Sequence, residues 1–147
     1  MELDKTDLLI LNELTENSRL SFRALAKKLG LSTNTVLTRI GKMEKQGIIR
    51  KYTVLLDYEK LGFELQAIIH LKIAKGKLVQ VEEKIAKIPN VQAVYDVTGT
   101  IDAILIAKFK NRSGLDSFLK KIQSYDFIED TETQIILRSL KEDVAKP

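Results

Sequence analysis

The chain has 147 residues, of which 44% are hydrophobic, and a formal net charge of +4. This length suits one mid-sized domain or two small ones, and the hydrophobic share is ordinary for a folded chain. Cysteine is absent and His70 is the one histidine, which excludes disulfides and thiolate chemistry and argues against an ordinary hydrolase. We expect no enzyme activity, metal or cofactor. No apolar run reaches the roughly twenty residues of a membrane span, and the acidic start does not resemble a secretory signal.

Charge is concentrated in one part of the chain. Residues 18–51 carry nine basic side chains against a single acid, Glu44, a net charge of +8. Residues 54–147 carry fourteen side chains of each sign. A basic block beside a neutral remainder is typical of a module that binds a polyanion. A solvated helical surface would also explain the charge run, so the local structure has to decide between the two readings.

Three helices are predicted in the first third of the chain. Asp4, Ser21 and Ser32 are the expected N-caps, while Gly30 and Gly47 are expected to end the second and third helices. Apolar residues at helical spacing form the expected inner faces: Leu8, Ile10, Leu11, Leu14, Phe22, Leu25, Ala26, Leu29, Val36, Ile40 and Met43. The second and third helices are joined by about three residues that include glycine, the spacing of a helix-turn-helix.

The third helix is the expected reading element. Its apolar residues cluster on one side, and short hydroxyl and amide side chains lie opposite or at the exposed first turn. Such side chains reach base edges in a major groove, while lysine and arginine hold phosphates. The predicted DNA-binding residues are Ser32, Thr33, Asn34, Thr35, Thr38, Arg39, Lys42, Lys45, Arg50 and Lys51. Any one of them alone would be read as ordinary polar surface.

Residues 48–57 change from helical spacing to alternation. Ile48, Tyr52, Val54 and Leu56 predict a strand, which after a helix-turn-helix would form a wing. We therefore predict a winged helix-turn-helix domain over residues 1–56 and a short polar linker over 57–62.

The remainder, residues 63–147, predicts a second domain. Strands are expected at 63–74, 91–98, 101–110 and 127–140, and helices at 77–88 and 112–125. The order βαββαβ is that of a ferredoxin-like fold, with both helices on one face of a four-stranded antiparallel sheet. The fold class is therefore α+β.

Both faces of the predicted sheet contain apolar residues. Ile104, Leu105 and Ile106 are consecutive, as are Ile135, Ile136 and Leu137. A single copy would leave one apolar face in water, so we expect a homodimer and further association into tetramers or octamers. Two copies also suit a palindromic site on double-stranded DNA.

Short motifs along nearly the whole chain resemble the Lrp/AsnC family of bacterial and archaeal transcription regulators. They are Leu3-Asp4-Lys5-Thr6-Asp7, Ile10-Leu11, Asn17-Ser18-Arg19, Leu25-Ala26, Leu29-Gly30-Leu31-Ser32, Val36, Arg39-Ile40, Glu44-Lys45-Gln46-Gly47-Ile48-Ile49, Ile88-Pro89-Asn90-Val91 and Thr98-Gly99-Thr100-Ile101-Asp102-Ala103. The resemblance implies a winged-helix DNA binder joined to a ligand-sensing domain, located in the cytoplasm at the nucleoid. It also implies an amino-acid effector bound between subunits. Carried over to this chain, the effector site comprises Gly99, Thr100, Asp102, Thr131 and Thr133. A turn-capping carboxylate is the alternative role for Asp102, and ordinary strand positions are the alternative for the two threonines.

Two positions depart from the pattern expected of the family, since Asn34 stands where many members carry proline and Gly41 where a larger residue is common. The predicted function is a sequence-specific DNA-binding regulator that responds to an amino acid or a related small molecule. An effector-independent architectural DNA-binding protein is the first alternative. A stand-alone amino-acid-binding module with a protein-binding head is the second.

Overall fold

The computed structural model describes residues 2–147, which divide into two compact units. The first unit holds the residues up to Leu55 together with 141–147, and the second holds Leu56–Leu140. The domain boundaries drawn from the sequence stay a prediction. In the described part of the chain, no helix has the length and apolarity needed to cross a membrane.

The first unit contains the three predicted helices: α1 (Lys5–Glu16), α2 (Phe22–Leu29) and α3 (Thr33–Lys45). Asp4, Ser21 and Ser32 are their N-caps, and each side chain accepts a backbone N–H of the first turn. Gly30 ends α2 in the left-handed conformation, with φ of 67°. The expected N-caps are therefore confirmed, because short acceptor side chains satisfy N–H groups that a helix cannot bond internally. The C-cap of α3 is Gln46, and Gly47 follows it with φ of 72°.

The helices of this unit share one apolar core. Its buried members are Ile10, Leu14, Leu25, Ala26, Val36, Ile40 and Met43. Phe22, predicted to face inward, is instead 37% exposed. It is the first residue of α2, and the buried residues of this helix, Leu25 and Ala26, lie in the next turn.

A reciprocal capping box begins α1 and also binds α3. The Asp4 carboxylate accepts the N–H groups of Thr6 (2.7 Å) and Asp7 (2.9 Å), and the Asp7 carboxylate accepts the Asp4 N–H (3.1 Å). Arg39 Nη1 on α3 lies 2.6 Å from Asp4 Oδ2 and 2.8 Å from Asp7 Oδ1. The Asp7 N–H and the Arg39 guanidinium lower the pKa of Asp4 because both favour its ionised form.

The predicted strand over residues 48–57 is wrong. Residues 50–57 lie in no helix or strand, and no strand pairing within residues 2–147 involves this segment. Val54 and Leu55 are 68% and 66% exposed. An alternating pattern specifies a strand only where a neighbouring backbone completes its hydrogen bonds, and this unit supplies none.

The second unit has the predicted βαββαβ order. Its elements are β1 (Leu65–Ile73), α4 (Leu78–Lys84), β2 (Val91–Asp96), β3 (Ala103–Phe109), α5 (Arg112–Gln123) and β4 (Ile128–Ile135). The strands form one sheet in the order β2-β3-β1-β4, and each neighbouring pair is antiparallel. The predicted elements are thus all present, with ends that differ by a few residues.

The sheet has one covered and one open face. Buried residues of the strands, such as Ile69, Leu71 and Leu105, pack with Ile85 of the segment that ends α4 and with Ile122 of α5. The alternate residues Ile68, Ile104 and Ile106 point the other way, are only half-buried, and lie outside this core. Because no helix of this unit packs against it, the second face remains the open face of the sheet.

The capping box should make the first unit sensitive to acid. Because the folded pKa of Asp4 lies below its ordinary value of 3.8, its contribution to stability is complete above that pH. It is lost as the pH falls below 3.8 through the folded pKa. We expect the drop in melting temperature between about pH 5 and about pH 3 to be smaller in Asp4→Asn than in the wild type, as measured by circular dichroism.

Asp116→Asn is the matched control, since Asp116 is an exposed carboxylate whose ion pair with Lys120 lies within α5. This substitution should leave the acid-dependent drop close to that of the wild type. Equal drops in all three proteins would contradict the role given to Asp4.

Candidate nucleic-acid interface and effector site

Helix α3 divides sharply between a core side and an exposed side. Val36, Ile40 and Met43 are at most 1% exposed, whereas Asn34, Thr38 and Lys42 are exposed. The apolar side of α3 therefore packs in the core, and the polar side is available to a ligand.

The start of α3 is partly committed to its own cap. Ser32 Oγ accepts the Thr35 N–H at 3.0 Å and lies 2.8 Å from Thr35 Oγ1. Thr33 and Asn34 follow on the exposed first turn. This turn presents backbone N–H groups at the positive end of the helix dipole, an arrangement that suits a phosphate oxygen.

Most of the predicted α3 contacts lie around one concave surface of the first unit. It is lined by Glu2, Asp4, Asp7, Asn34, Thr35, Thr38, Arg39 and Lys42. Arg39 does not stand alone there, since its guanidinium is held by Asp7 and Asp4, which raise its pKa. Lys45, Arg50 and Lys51 lie outside this surface and are exposed.

Tyr52 ties the segment after α3 back to that helix. Its hydroxyl donates to Glu44 Oε1 at 2.8 Å. Partial burial, followed by the hydrogen bond and charge of Glu44, raises the pKa of Tyr52 to about 12. The contact holds the chain beside Arg50 and Lys51 close to the last turn of α3, which sequence periodicity did not indicate.

Gly41 is not required by the packing of α3. A Cβ built at this position meets no atom within 4 Å, and the residue is exposed. A larger side chain would fit at this position in the isolated unit. Without a side chain, glycine lets another molecule approach the backbone of α3 closely on its exposed face.

Asp102 adopts the role of a strand-end carboxylate. Its Oδ2 accepts the Ile73 N–H at 2.7 Å, and its own N–H donates to the Leu71 carbonyl at 2.9 Å. The β1–β4 register shifts between Lys72 and Ile73, so this side chain satisfies an amide at an irregular strand end. The other predicted turn residues, Gly99 with φ of 127° and Thr100, precede it and are exposed.

The two predicted threonines lie on the helix-covered face of the sheet. Thr131 pairs with Leu71 and Thr133 with Ile69, both buried, so each threonine shares the side of its partner. Thr131 Oγ1 accepts a hydrogen bond from Gln123 Nε2 of α5 at 2.7 Å. Asp102 and Thr131 are thus brought to the same end of β1, each already bonded within the unit.

The open face contains polar groups that are not among the predicted site residues. His70 pairs with Glu132, and His70 Nδ1 lies 3.9 Å from Glu132 Oε2. Tyr95, which pairs with Ile104, is 54% exposed on the same face. Strict alternation along β1 from the apolar Ile69 would have placed His70 there. Among residues 2–147, no group of three or more acidic or histidine side chains is arranged to hold a metal.

Comparison with known proteins supports both units. Residues 3–50 match the family model described as "Winged helix-turn-helix DNA-binding", and residues 66–145 match "Lrp/AsnC ligand binding domain". An uncharacterized HTH-type transcriptional regulator of Pyrococcus furiosus is 47% identical over 143 residues, covering 97% of each chain. The HTH-type transcriptional regulator FL11 of Pyrococcus horikoshii is 34% identical over 145 residues, covering 99% of this chain and 96% of FL11.

Solved structures agree over the full length. A transcriptional regulator from Neisseria meningitidis, solved as a complex with L-Met, matches with a TM-score of 0.91 at 32% identity and covers 99% of this chain and 97% of that one. The structure of Escherichia coli AsnC matches with a TM-score of 0.91 at 27% identity, covering all of both chains.

These matches confirm the predicted fold class, a winged helix-turn-helix followed by a βαββαβ domain, even though residues 48–57 form no strand here. They also identify the protein class as a regulator of transcription and not an enzyme. The chain belongs to the Lrp/AsnC family of helix-turn-helix transcriptional regulators.

Proposed function

We propose that the chain is a sequence-specific regulator whose α3 reads the major groove of double-stranded DNA. The observation that carries this proposal is the division of α3, in which Val36, Ile40 and Met43 fill the core and leave Asn34 and Thr38 outward. Short amide and hydroxyl groups on one exposed helix face match the donors and acceptors of base edges. Such a regulator would act on the chromosome, so we expect it in the cytoplasm of a bacterium or archaeon.

The exposed side of α3 that carries Asn34 and Thr38 is called the reading face here. Exposed basic residues flank it and supply the phosphate contacts of this proposal. Lys42 and Lys45 lie in the last turn of α3, and Arg50 and Lys51 follow it. Such contacts fix the protein on the duplex without reading sequence, and each releases a condensed counterion.

Lys42→Ala and Thr38→Ala should separate these two roles. Loss of Lys42 should weaken binding to every duplex and reduce the slope of log K against log salt by about 0.9, the value of one phosphate contact. Loss of Thr38 should leave that slope unchanged and lower the preference for the best site over random DNA. Fluorescence anisotropy at several salt concentrations measures both quantities.

The two alternatives predict other results. Uniform coating of all duplexes by the wild type, in footprinting, would favour an architectural protein. Failure to bind any duplex in dilute salt would favour a stand-alone sensor module. An equal effect of Thr38→Ala on random DNA would contradict its assignment as a reading residue.

We further propose that copies of the chain associate through the open face of the sheet. Ile68, Ile104 and Ile106 form an apolar centre there, and no helix of the unit packs over them. Opposite charges at the rim, such as Lys72 paired with Asp130, would set the register of two copies. A two-fold dimer presents two reading helices to a palindromic site, and such dimers would assemble further into tetramers or octamers.

Ile104→Lys should break this association, because it places an unpaired charge at the centre of the buried surface. Sedimentation velocity should show the wild type as a dimer or larger and the variant as a smaller species. Val79→Lys is the control, since Val79 is 61% exposed on α4 and away from the sheet. Unchanged assembly of Ile104→Lys would contradict the proposed interface.

We also propose an amino-acid effector bound beside Asp102 and Thr131, completed by a second subunit. The relative from Neisseria meningitidis was solved with L-Met, which supports an effector of this class. Asp102 uses Oδ2 for the Ile73 N–H, and a carboxylate has further lone pairs that can accept an ammonium group. Thr133 and the turn at Gly99 and Thr100 are the remaining proposed contacts.

A thermal-shift panel of the standard amino acids tests this site. One or two amino acids should raise the melting temperature by several degrees, because a ligand that binds only the folded state stabilises it. Asp102→Asn keeps an acceptor for the Ile73 N–H and removes the negative charge, so it should abolish the shift with little change in the unliganded protein. A flat panel for the wild type would contradict the effector proposal.

A further inference from the structure

Arg39 lies on the concave surface of the reading helix but is bound to α1. Its Nη1 donates to Asp4 Oδ2 at 2.6 Å and to Asp7 Oδ1 at 2.8 Å, so one nitrogen bridges two carboxylates. The Arg39 side chain is 30% exposed, and that of Asp7 is 3% exposed. Two adjacent negative charges therefore neutralise this guanidinium before any DNA arrives.

The receptor for Arg39 is rigid because the backbone of α1 builds it. Asp4 and Asp7 hold each other's N–H groups in the capping box, and Asp4 also accepts the Thr6 N–H. Neither carboxylate can turn toward a new partner without giving up a helix cap. Any rotation of α3 about its axis would move Arg39 away from this fixed pair of acceptors.

The neighbours of Arg39 on α3 are the proposed DNA contacts. Thr38 precedes it, and Lys42 follows one turn later on the same concave surface. We infer that Arg39 is a positioning residue, which fixes the rotation of α3 against α1 through Asp7 and Asp4 and so sets where Thr38 and Lys42 meet the duplex. This inference rests on the proposed function of α3 in DNA binding.

A direct phosphate contact by Arg39 is the competing role. Nη1 already donates to both carboxylates, so a phosphate would have to be met by Nη2 or Nε. Pulling the whole guanidinium onto a phosphate would strand the buried charge of Asp7, which is strongly unfavourable. A phosphate placed at Arg39 would also lie beside the Asp4 and Asp7 carboxylates that hold it, and these repel a second anion. These charges favour the intact ion pair, in which Arg39 fixes the orientation of α3 and does not bind a phosphate.

Asp7→Asn distinguishes the two roles because it acts on Arg39 from the opposite side of the contact. If Arg39 binds a phosphate, the loss of a competing negative charge should tighten binding to all duplexes. If Arg39 is a positioning residue, Asp7→Asn should lower discrimination between the best and random duplexes by about tenfold, the size of one lost base contact.

The experiment uses the duplex that the full-length wild type enriches from a random pool, with a scrambled duplex beside it. Affinities at several salt concentrations are measured for the wild type, Asp7→Asn, Arg39→Gln and the double variant, below their melting temperatures. Both single variants should lose discrimination with an unchanged salt slope, and the double variant should lose no more than either one. Asp4→Asn, at an exposed carboxylate, is the second variant if Asp7→Asn does not fold, and it should show a smaller loss in the same direction.

Matched controls distinguish a failure of this inference from a failure of the proposed function. Arg112→Gln and Asp116→Asn change the same charges in the second unit and should leave discrimination unchanged. A salt slope that falls by about 0.9 in Arg39→Gln, or tighter binding by Asp7→Asn, would overturn the inference and leave the proposed function standing. A wild type that enriches no duplex would overturn the proposed function itself.

Discussion

The constraint on which the second unit depends is that a sheet has two faces and two helices cover only one. Alternation along β1 places Ile69 and Leu71 against the helices and Ile68 and His70 on the open face. The covered side completes a core, so the unit folds around it. The open side is a surface with an apolar centre and a charged rim, and the proposed association with a second copy would remove that apolar centre from water.

In the first unit, the constraint is that three short helices must keep the reading face of α3 in a fixed orientation. Helices of this length draw little stability from propensity alone, so the shared core of Ile10, Val36 and Met43 must hold them together. The attraction between apolar side chains in this core is not directional. The directional part comes from Arg39, whose ion pairs with Asp4 and Asp7 have one geometry.

The proposed effector site shows how binding and structure can share one residue. Asp102 completes the hydrogen bonding of an irregular strand end, and Thr131 is bonded to α5. A ligand that also used these groups would act on the end of β1 and on the packing of α5 together. Such shared contacts are a physical basis for coupling, since a ligand shifts an equilibrium only through contacts that differ between two states.

Local patterns in the sequence determined the helices, their caps and the order βαββαβ, because caps such as Ser21 and Ser32 and the spacing of buried residues act over a few positions. They also determined which side of α3 is polar. Only the tertiary structure decided that Arg39 is bound 32 and 35 residues away along the chain, and that Thr131 and Thr133 lie on the covered face. It also decided that residues 48–57 form no strand. Each of these depends on a partner distant in sequence or missing from the unit, and periodicity carries no information about such partners.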